Sequence, residues 1–307
     1  MVHSQQTNPA FLTRMNVLSL FDGISCAKVS LARAGIQIKT YFASEIDKHA
    51  IAVSRANHPD IIQLGDVRSI TELPCEIDLL IGGSPCQDLS IAKKDRKGLA
   101  GDRSGLFWQY VRIWKHLKPK WFVLENVASM PKADRETITD ALGVEPVLFD
   151  ASLVSAQSRK RLFWTNIKFD LPADRGILLK DILQPDAEVD PAMVMNGKSF
   201  CLTASYHKVG EGQKEYEHNK TKGQRTMVKT ETRIRKLTPI ECERLQGLPD
   251  NYTEGIPKTH RYKCLGNGFN TDVISHILAS LREHTAVSTT DLPRRESNVS
   301  TASKSKD

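Results

Sequence analysis

The residue best dressed for bond-making in this chain is Cys86, set in GGSPCQDLS (Gly82 to Ser90). A thiolate is the strongest nucleophile among the common side chains. A free thiol with a pKa of ~8.5 is only slightly ionised near neutrality, so its neighbours must help. Two glycines end an apolar run, Pro85 stiffens the turn, and Cys86 then rides on a loop beyond the strand. The plain alternative is a turn with a buried cysteine. The other five, Cys26, Cys75, Cys201, Cys242 and Cys264, form no CxxC pair and no zinc-finger spacing. They read as small buried hydrophobes rather than a disulfide framework or a metal site.

Two further pieces could serve such a nucleophile. FVLENV puts Glu125 and Asn126 at the end of an apolar run, where a carboxyl group would lie beside the Cys86 loop. In QSRKR, Arg159 and Arg161 alternate, so on a strand they share one face. A guanidinium fork there could hold a carbonyl oxygen or a phosphate.

A third set is acidic. Asp22-Gly23 in LFDGIS, then Glu45, then Asp66, each follow an apolar run. Glycine after an acid lets the backbone turn tightly against a ligand, but the later glycines of a dinucleotide loop are missing. An acid at a second strand end can hold two ribose hydroxyls, and one after a third can accept from an adenine amino group. Together they describe a site for an adenosine-bearing cofactor without a diphosphate. Any one alone reads as a helix cap or a surface charge.

The elements that position these residues alternate. NVLSLF, KTYFASE, IIQLGDV, IDLLIGG, WFVLEN, PVLFDAS and RLFWTNI read as buried strands. Helices are expected from Ser25 to Arg33, Asp47 to Asn57 and Ser104 to Lys118. This is an α/β pattern: a doubly wound, mostly parallel sheet, with ligands beyond the carboxyl ends of its strands. Residues 1–14 read as a flexible leader and 15–168 as the catalytic and cofactor-binding part. Residues 169–236 read as a small, irregular target-recognition lobe. Residues 237–284 return to the first part, with helices after Thr238-Pro239 and from Asn270 to His284; 285–307 read as a disordered tail.

The 307 residues are 40% apolar and 26% charged, with a formal net charge of +7. No run is long and apolar enough for a membrane span, and the first residues do not form a secretory signal. Between Asn196 and Lys236 stand ten basic and four acidic residues. A block of that kind suits a phosphate backbone, or equally a solvated basic surface.

Taken in order, LFDGIS, Glu45, Asp66, GGSPCQDLS, ENV, QSRKR, LTPIECERLQGLPD and GNGFN resemble the DNA cytosine-5 methyltransferase family over most of residues 16–284. GGSPCQDLS and GDVRS are similar to the animal de novo enzymes, and GNGFNTDVISHIL to bacterial and phage ones. The resemblance implies a Rossmann-like methyltransferase fold and S-adenosyl-L-methionine as cofactor. It implies that Cys86 adds to carbon 6 of a cytosine flipped out of double-stranded DNA. Glu125 would engage ring nitrogen 3 and the amino group, and Arg161 the ring carbonyl oxygen, with Arg159 in support. Phe21, Asp22, Gly23 and Ile24 would line the methionine end of the cofactor, Glu45 and Ile46 the ribose side, and Asp66 and Val67 the adenine. Pro85, Asn267 and Gly268 would complete that pocket.

Toward DNA, Ser84, Gln87 and Ser90 flank the nucleophile, and Gln87 to Arg103 would form a closing flap. Lys198, Tyr206, His207, Lys208 and Arg225 are the candidates for base or phosphate contacts, and the shortness of 169–236 implies a short recognition sequence. The same resemblance implies a bacterial or phage-encoded protein of the cytoplasm and nucleoid, with a restriction endonuclease as a conceivable partner. Three rivals stay in view. An RNA cytosine-5 methyltransferase is disfavoured by the missing Cys-Phe-Thr signature. An inert DNA-binding relative is disfavoured because Cys86, Glu125 and both arginines are present, and a nicotinamide oxidoreductase by the missing diphosphate loop.

Overall fold

The computed structural model describes residues 14–85, 104–223 and 225–282. The sequence expectations for Cys86, Gln87, Ser90, the rest of the 86–103 loop, the leader and the tail lie outside the described residues.

Seven strands form one sheet: β1 (Met15–Leu20), β2 (Ile38–Ser44), β3 (Ile62–Gln63), β4 (Leu79–Gly83), β5 (Trp121–Val127), β6 (Val147–Asp150) and β7 (Lys160–Thr165), in the order β3-β2-β1-β4-β5-β7-β6. Neighbours from β3 to β5 run parallel, and β7 is inserted antiparallel between β5 and β6. Every residue of β1 is buried, as a central strand covered on both faces requires. Val17, Tyr41, Leu79 and Val123 pack on one face against α1 (Cys26–Arg33), α2 (Lys48–Asn57) and α8 (Thr271–Ala279). Leu18, Leu80, Phe122 and Leu124 pack on the other against α3 (Phe107–Leu117) and α4 (Lys132–Leu142).

Local signals start three of the helices where expected. Asp47 caps α2 by accepting from the His49 and Ala50 amides. Thr238 and Glu241 form a reciprocal capping box at α6 (Pro239–Leu245), and Asn270 caps α8. Outside residues 169–236, two helices escape the sequence reading. In α4 only Ile138 and Leu142 are buried, one turn apart, so the apolar stripe is too thin to see. In α7 (Lys258–Asn267) Tyr262 and the consecutive Cys264, Leu265 and Gly266 are buried, which breaks helical period. IIQLGDV is strand for two residues only, after which Asp66 caps a turn at Val67–Ser69.

Residues 169–236 are more regular than expected. They hold α5 (Gln213–His218) and a small antiparallel sheet of β8 (Glu188–Val189), β9 (Met227–Lys229) and β10 (Ile234–Lys236), in the order β10-β9-β8. Strands of two and three residues are too short to display a period of two. Their apolar side chains do not make a separate core. Leu179, Met193, Leu202, Tyr206, Met227 and Val228 belong to the same cluster as the α1–α8 face of the large sheet. Arg235 of β10 is also tied to α6 through a buried ion pair with Glu241, Nη1 to Oε2 2.8 Å.

Among the described residues no helix is long and apolar enough to cross a membrane, and no three His, Cys, Asp or Glu cluster for a metal ion.

Candidate active site

β1 lies between β2 and β4, so the chain leaves it first to one side and later to the other. The crevice beyond the carboxyl ends of such strands is where doubly wound sheets bind ligands. The turn that leaves β1 is unusual. Phe21, Gly23 and Ser25 all take the left-handed conformation, with φ of 56°, 61° and 61°. For a residue with a Cβ that conformation costs roughly 1–2 kcal/mol, and such strain collects at functional sites. The Gly23 amide donates to Glu45 Oε2 at 2.8 Å. Glu45 Oε1 accepts from the Ile46 and Asp47 amides, each at 2.8 Å. One carboxylate thus locks the ends of β1 and β2 together.

Of the residues expected to border a cofactor, Gly23, Glu45 and Ile46 stand at this crevice, whereas Ile24 is fully buried in the core and Asp22 turns away from it. Ile46 is 69% exposed beside Glu45. Asp66 takes Arg68 on both carboxylate oxygens, which holds its pKa down at about 2. Arg112 of α3 fixes this turn by donating to the carbonyls of Val67 and Ile70. Asp22 does not present its side chain to the crevice. It is 5% exposed and turned into the core, where it accepts from Ser25 Oγ at 2.5 Å and Tyr41 Oη at 2.7 Å. Burial drives its carboxyl up to about 6 against the pull of those hydroxyls. The donor set suits an adenosine-bearing group: the Glu45 carboxylate for vicinal hydroxyls, the exposed aliphatic side chain of Ile46 beside it, and a second acid, Asp66, after the next strand.

The catalytic candidates meet one strand pair away. Gly83 pairs with Glu125, and the antiparallel register sets Arg161 opposite Val127, diagonal to Glu125 on the same face. Arg161 Nε stands 2.8 Å from Glu125 Oε1, both side chains largely buried. Gly83 has no room for a side chain: a Cβ would sit 3.0 Å from Glu125 Oε2 and 2.8 Å from Phe269 Cε1. Asn126 donates to Ser84 Oγ at 3.0 Å and so pins the start of the Ser84-Pro85 turn. Glu125, Arg161, Phe149 and Phe269 also line a cavity of about 10 Å³, enough for one water. Phe269 was missed by the sequence reading, although GNGFN contains it.

Arg159 lines the same cavity as Glu125 and Arg161, but its guanidinium is turned to backbone carbonyls. It precedes β7 and is buried, with Nη1 donating to the Leu202 carbonyl at 2.7 Å and Nη2 to the Gly268 and Gly266 carbonyls at 3.0 and 3.2 Å. Its fork therefore joins residues 202, 266 and 268. Burial lowers its pKa, with the Arg161 charge next in size. Only Arg161 belongs to the strand, and Arg159 lies one residue before it.

Gly268 sits where a Cβ would be 3.1 Å from Cys26 Sγ, and Gly266 where one would overlap the Thr203 backbone at 2.2 Å. That second approach seats α7 directly on the turn Ala204–Lys208. Asn267 is exposed between them. Cys26, Cys242 and Cys264 are buried free thiols, and burial raises the pKa of each, Cys26 and Cys264 to about 12. Cys75 and Cys201 are half-buried. Cys201 is unlike the rest: Arg159 Nη1 lies 3.5 Å from its sulfur.

The DNA-contact candidates separate. Lys198 is buried, and Nζ donates to the carbonyls of Ser152 and Ser155 and to Asp174 Oδ1 at 2.7, 3.3 and 3.0 Å. Its three protons are spent inside the protein, which leaves none for DNA. Tyr206 is likewise internal, donating to the Thr226 carbonyl and accepting from the Leu237 amide. His207 is half-buried on the Ala204 carbonyl, Lys208 is exposed, and Arg225 is half-buried against Ser205.

A mostly parallel seven-stranded sheet with acids at its central strand ends is the architecture of the Rossmann-like, S-adenosylmethionine-dependent methyltransferases. Its solved neighbours share that fold. The Entamoeba histolytica methyltransferase EhMeth superposes with a TM-score of 0.68 at 19% identity, over 89% of this chain and 99% of that one. A putative DNA modification methyltransferase from an Escherichia coli prophage gives 0.63 at 21%, over 88% and 99%.

The chain belongs to the C-5 cytosine-specific DNA methylase family, whose model matches residues 15–199 and 186–283. It is similar to the type II methyltransferase M.NgoPII of Neisseria gonorrhoeae, 29% identical over 91% of this chain and 98% of that one. It is 27% identical to M.HhaI of Haemophilus parahaemolyticus over 87% and 94%. A Bacillus phage SPR enzyme, the orphan methyltransferase M.SPRI, is 36% identical over 56% of this chain and 43% of that one. The activity is therefore DNA cytosine-5 methylation with S-adenosylmethionine as methyl donor.

Proposed function

We propose that Cys86 is the nucleophile of this reaction and that Glu125 and Arg161 hold the target ring. The observation that supports this most directly is the Glu125–Arg161 pair, 2.8 Å apart, with Glu125 opposite Gly83, three residues before Cys86. The Cys86 sulfur forms a bond to carbon 6 of a cytosine extruded from the duplex. Glu125, supplying a proton toward ring nitrogen 3, neutralises the charge that this addition places on the ring. Arg161 donates to the ring carbonyl oxygen while remaining paired with Glu125. Carbon 5 is then electron-rich; S-adenosylmethionine, which Glu45 would hold, would supply an electrophilic methyl group there, its sulfur–methyl bond breaking to leave S-adenosylhomocysteine. Loss of the carbon 5 proton to a base re-forms the double bond and expels the Cys86 thiolate. Positioning and charge stabilisation carry most of the rate.

On this reading Phe21, Gly23, Glu45, Ile46, Asp66, Val67, Pro85, Asn267 and Gly268 border the cofactor, and Asp22 acts from behind the turn. Ser84, Gln87, Ser90, Lys208 and Arg225 face DNA. The recognition region is 169–236. A bacterial or phage host, action at the nucleoid and a cognate endonuclease belong to the same reading, supported by the type II names of the relatives matched along nearly their whole length.

The test is covalent trapping. Duplex DNA carrying 5-fluorocytosine cannot lose a proton from carbon 5, so wild type with S-adenosylmethionine should form a stable protein–DNA adduct. Cys86→Ala should form none. An adduct in the variant, or none in the wild type, ends the assignment of Cys86.

A further inference from the structure

We infer that Tyr41 is a positioning residue for cofactor binding: through the buried Asp22 carboxylate, its hydroxyl holds the left-handed turn that presents Gly23 to Glu45. The argument starts from the strained backbone. Phe21 and Ser25 adopt a conformation their side chains disfavour, on either side of Gly23. Ser25 stands at the cap position of α1, yet its side chain makes no capping bond to the helix. Its hydroxyl is directed to Asp22 instead, and to Ser54 Oγ at 2.7 Å on α2. Gln63 Nε2 reaches Ser54 in turn at 3.2 Å. Tyr252 donates to the Ile24 carbonyl at 2.8 Å, inside the same turn. The strain is thus opposed by a buried chain of hydrogen bonds whose centre is Asp22.

Tyr41 is the group in that chain that comes from β2, the strand ending at Glu45. It is 1% exposed, and its hydroxyl is 2.7 Å from Asp22 Oδ1. Burial, and then the Asp22 charge, push its phenol well above the usual range, so it remains a donor. One strand therefore holds the turn twice, at Asp22 from inside through Tyr41 and at Gly23 from the crevice through Glu45. If Asp22 takes up a proton, the short bonds from Ser25 and Tyr41 weaken and the strained turn is free to relax.

The groups that face Asp22 are few. Glu45 raises its pKa by charge. Cys26 and Tyr252 feel the Asp22 charge and are themselves kept neutral by burial. The Lys28 ammonium stands 5.4 Å from the Tyr41 ring centroid, paired with Asp60. His58, whose pKa burial lowers, touches Tyr252 and is the neighbour whose own titration could be confused with that of Asp22.

The inference rests on the strand-end crevice being the cofactor site, and the experiment separates the two. S-adenosylhomocysteine binding is measured by calorimetry from pH 5 to 8, with steady-state methylation of DNA alongside. Wild type should bind less well as pH falls through about 6. Tyr41→Phe should weaken binding and raise the cofactor KM about 5–20-fold with kcat little changed. It should also move the acid midpoint upward, because a donor that favoured the charged carboxyl is gone. Asp22→Asn should bind weakly at every pH, with no acid step. Ser25→Ala gives the Tyr41→Phe pattern if the tyrosine variant does not fold. Wild type that fails to bind S-adenosylhomocysteine would remove the cofactor site itself. Tyr41→Phe equal to wild type in affinity and midpoint, a loss confined to kcat, or an acid step that survives in Asp22→Asn and so belongs to His58, would each overturn the role of Tyr41 alone.

Discussion

The strand-end crevice and the 169–236 lobe solve the same problem, holding polar groups in place, by opposite means. In the crevice each functional side chain sits at the end of a strand whose neighbours are set by register, so Gly83, Glu125 and Arg161 are placed by backbone pairing. In the lobe the strands are two or three residues long, and position comes from buried charge: Arg235 on Glu241, Lys198 on two carbonyls and Asp174. A sheet can present a charge to a substrate because its backbone is already satisfied. A lobe with little sheet must spend its own charges on itself. The basic block from Asn196 to Lys236 is therefore a poor guide to DNA contacts, since Lys198 and Arg235 are consumed internally.

The sharpest break of that comparison is at Glu125. In the crevice, removing a charge should cost chemistry and leave the fold intact. Glu125→Gln is nearly isosteric and keeps an acceptor for Arg161, but cannot supply a proton. Single-turnover methylation should fall about 10²–10⁴-fold, with DNA affinity and melting temperature near wild type. A variant that loses its fold, or keeps its rate, would show that the pair is structural.

Arg159 tests the boundary between the two regions. It comes from the stretch leading into β7, yet its guanidinium joins Leu202 of the lobe to Gly266 and Gly268 at the end of α7. Arg159→Met would leave those carbonyls buried and short of a donor, at ~1–3 kcal/mol each. Denaturant unfolding should show a loss of about 3 kcal/mol or more, whereas Arg161→Met should lose rate with far less stability. Equal destabilisation of the two variants would erase the distinction between a strand-borne arginine proposed to hold the target ring and an internal clamp.

The same contrast governs what was legible beforehand. Buried parallel strands are continuous apolar runs, so the polar residues at or near their ends stand out, as Glu45 and Glu125 did, whereas Asp66 follows a strand of only two residues. The direction of a side chain is not written in such a run. Asp22 and Arg159 were expected to face ligand, and both turn inward, because what decides is a partner distant in the chain: Tyr41 for one, Leu202 and Gly268 for the other. Helices with thin or consecutive burial, α4 and α7, gave no readable period. Phe269 gained its importance only when Gly83 was seen to yield it space.

The smallest expected effects distinguish two lysines ten residues apart in the lobe. Lys198 is enclosed, and Lys208 is exposed on the turn that α7 packs against. Lys198→Met should lower stability by ~1–3 kcal/mol, since two carbonyls and Asp174 lose their donor. It should leave the salt dependence of DNA binding unchanged. Lys208→Ala should change stability by less than about 0.5 kcal/mol. If its ammonium meets a phosphate, the slope of log affinity against log salt should fall by about 1. Urea melts with a salt titration of a labelled duplex read both quantities on the same samples. A reduced salt slope in Lys198→Met would mean that the buried ammonium is released when DNA binds, and the lobe would then be a surface that rearranges rather than one held fixed by its own charges.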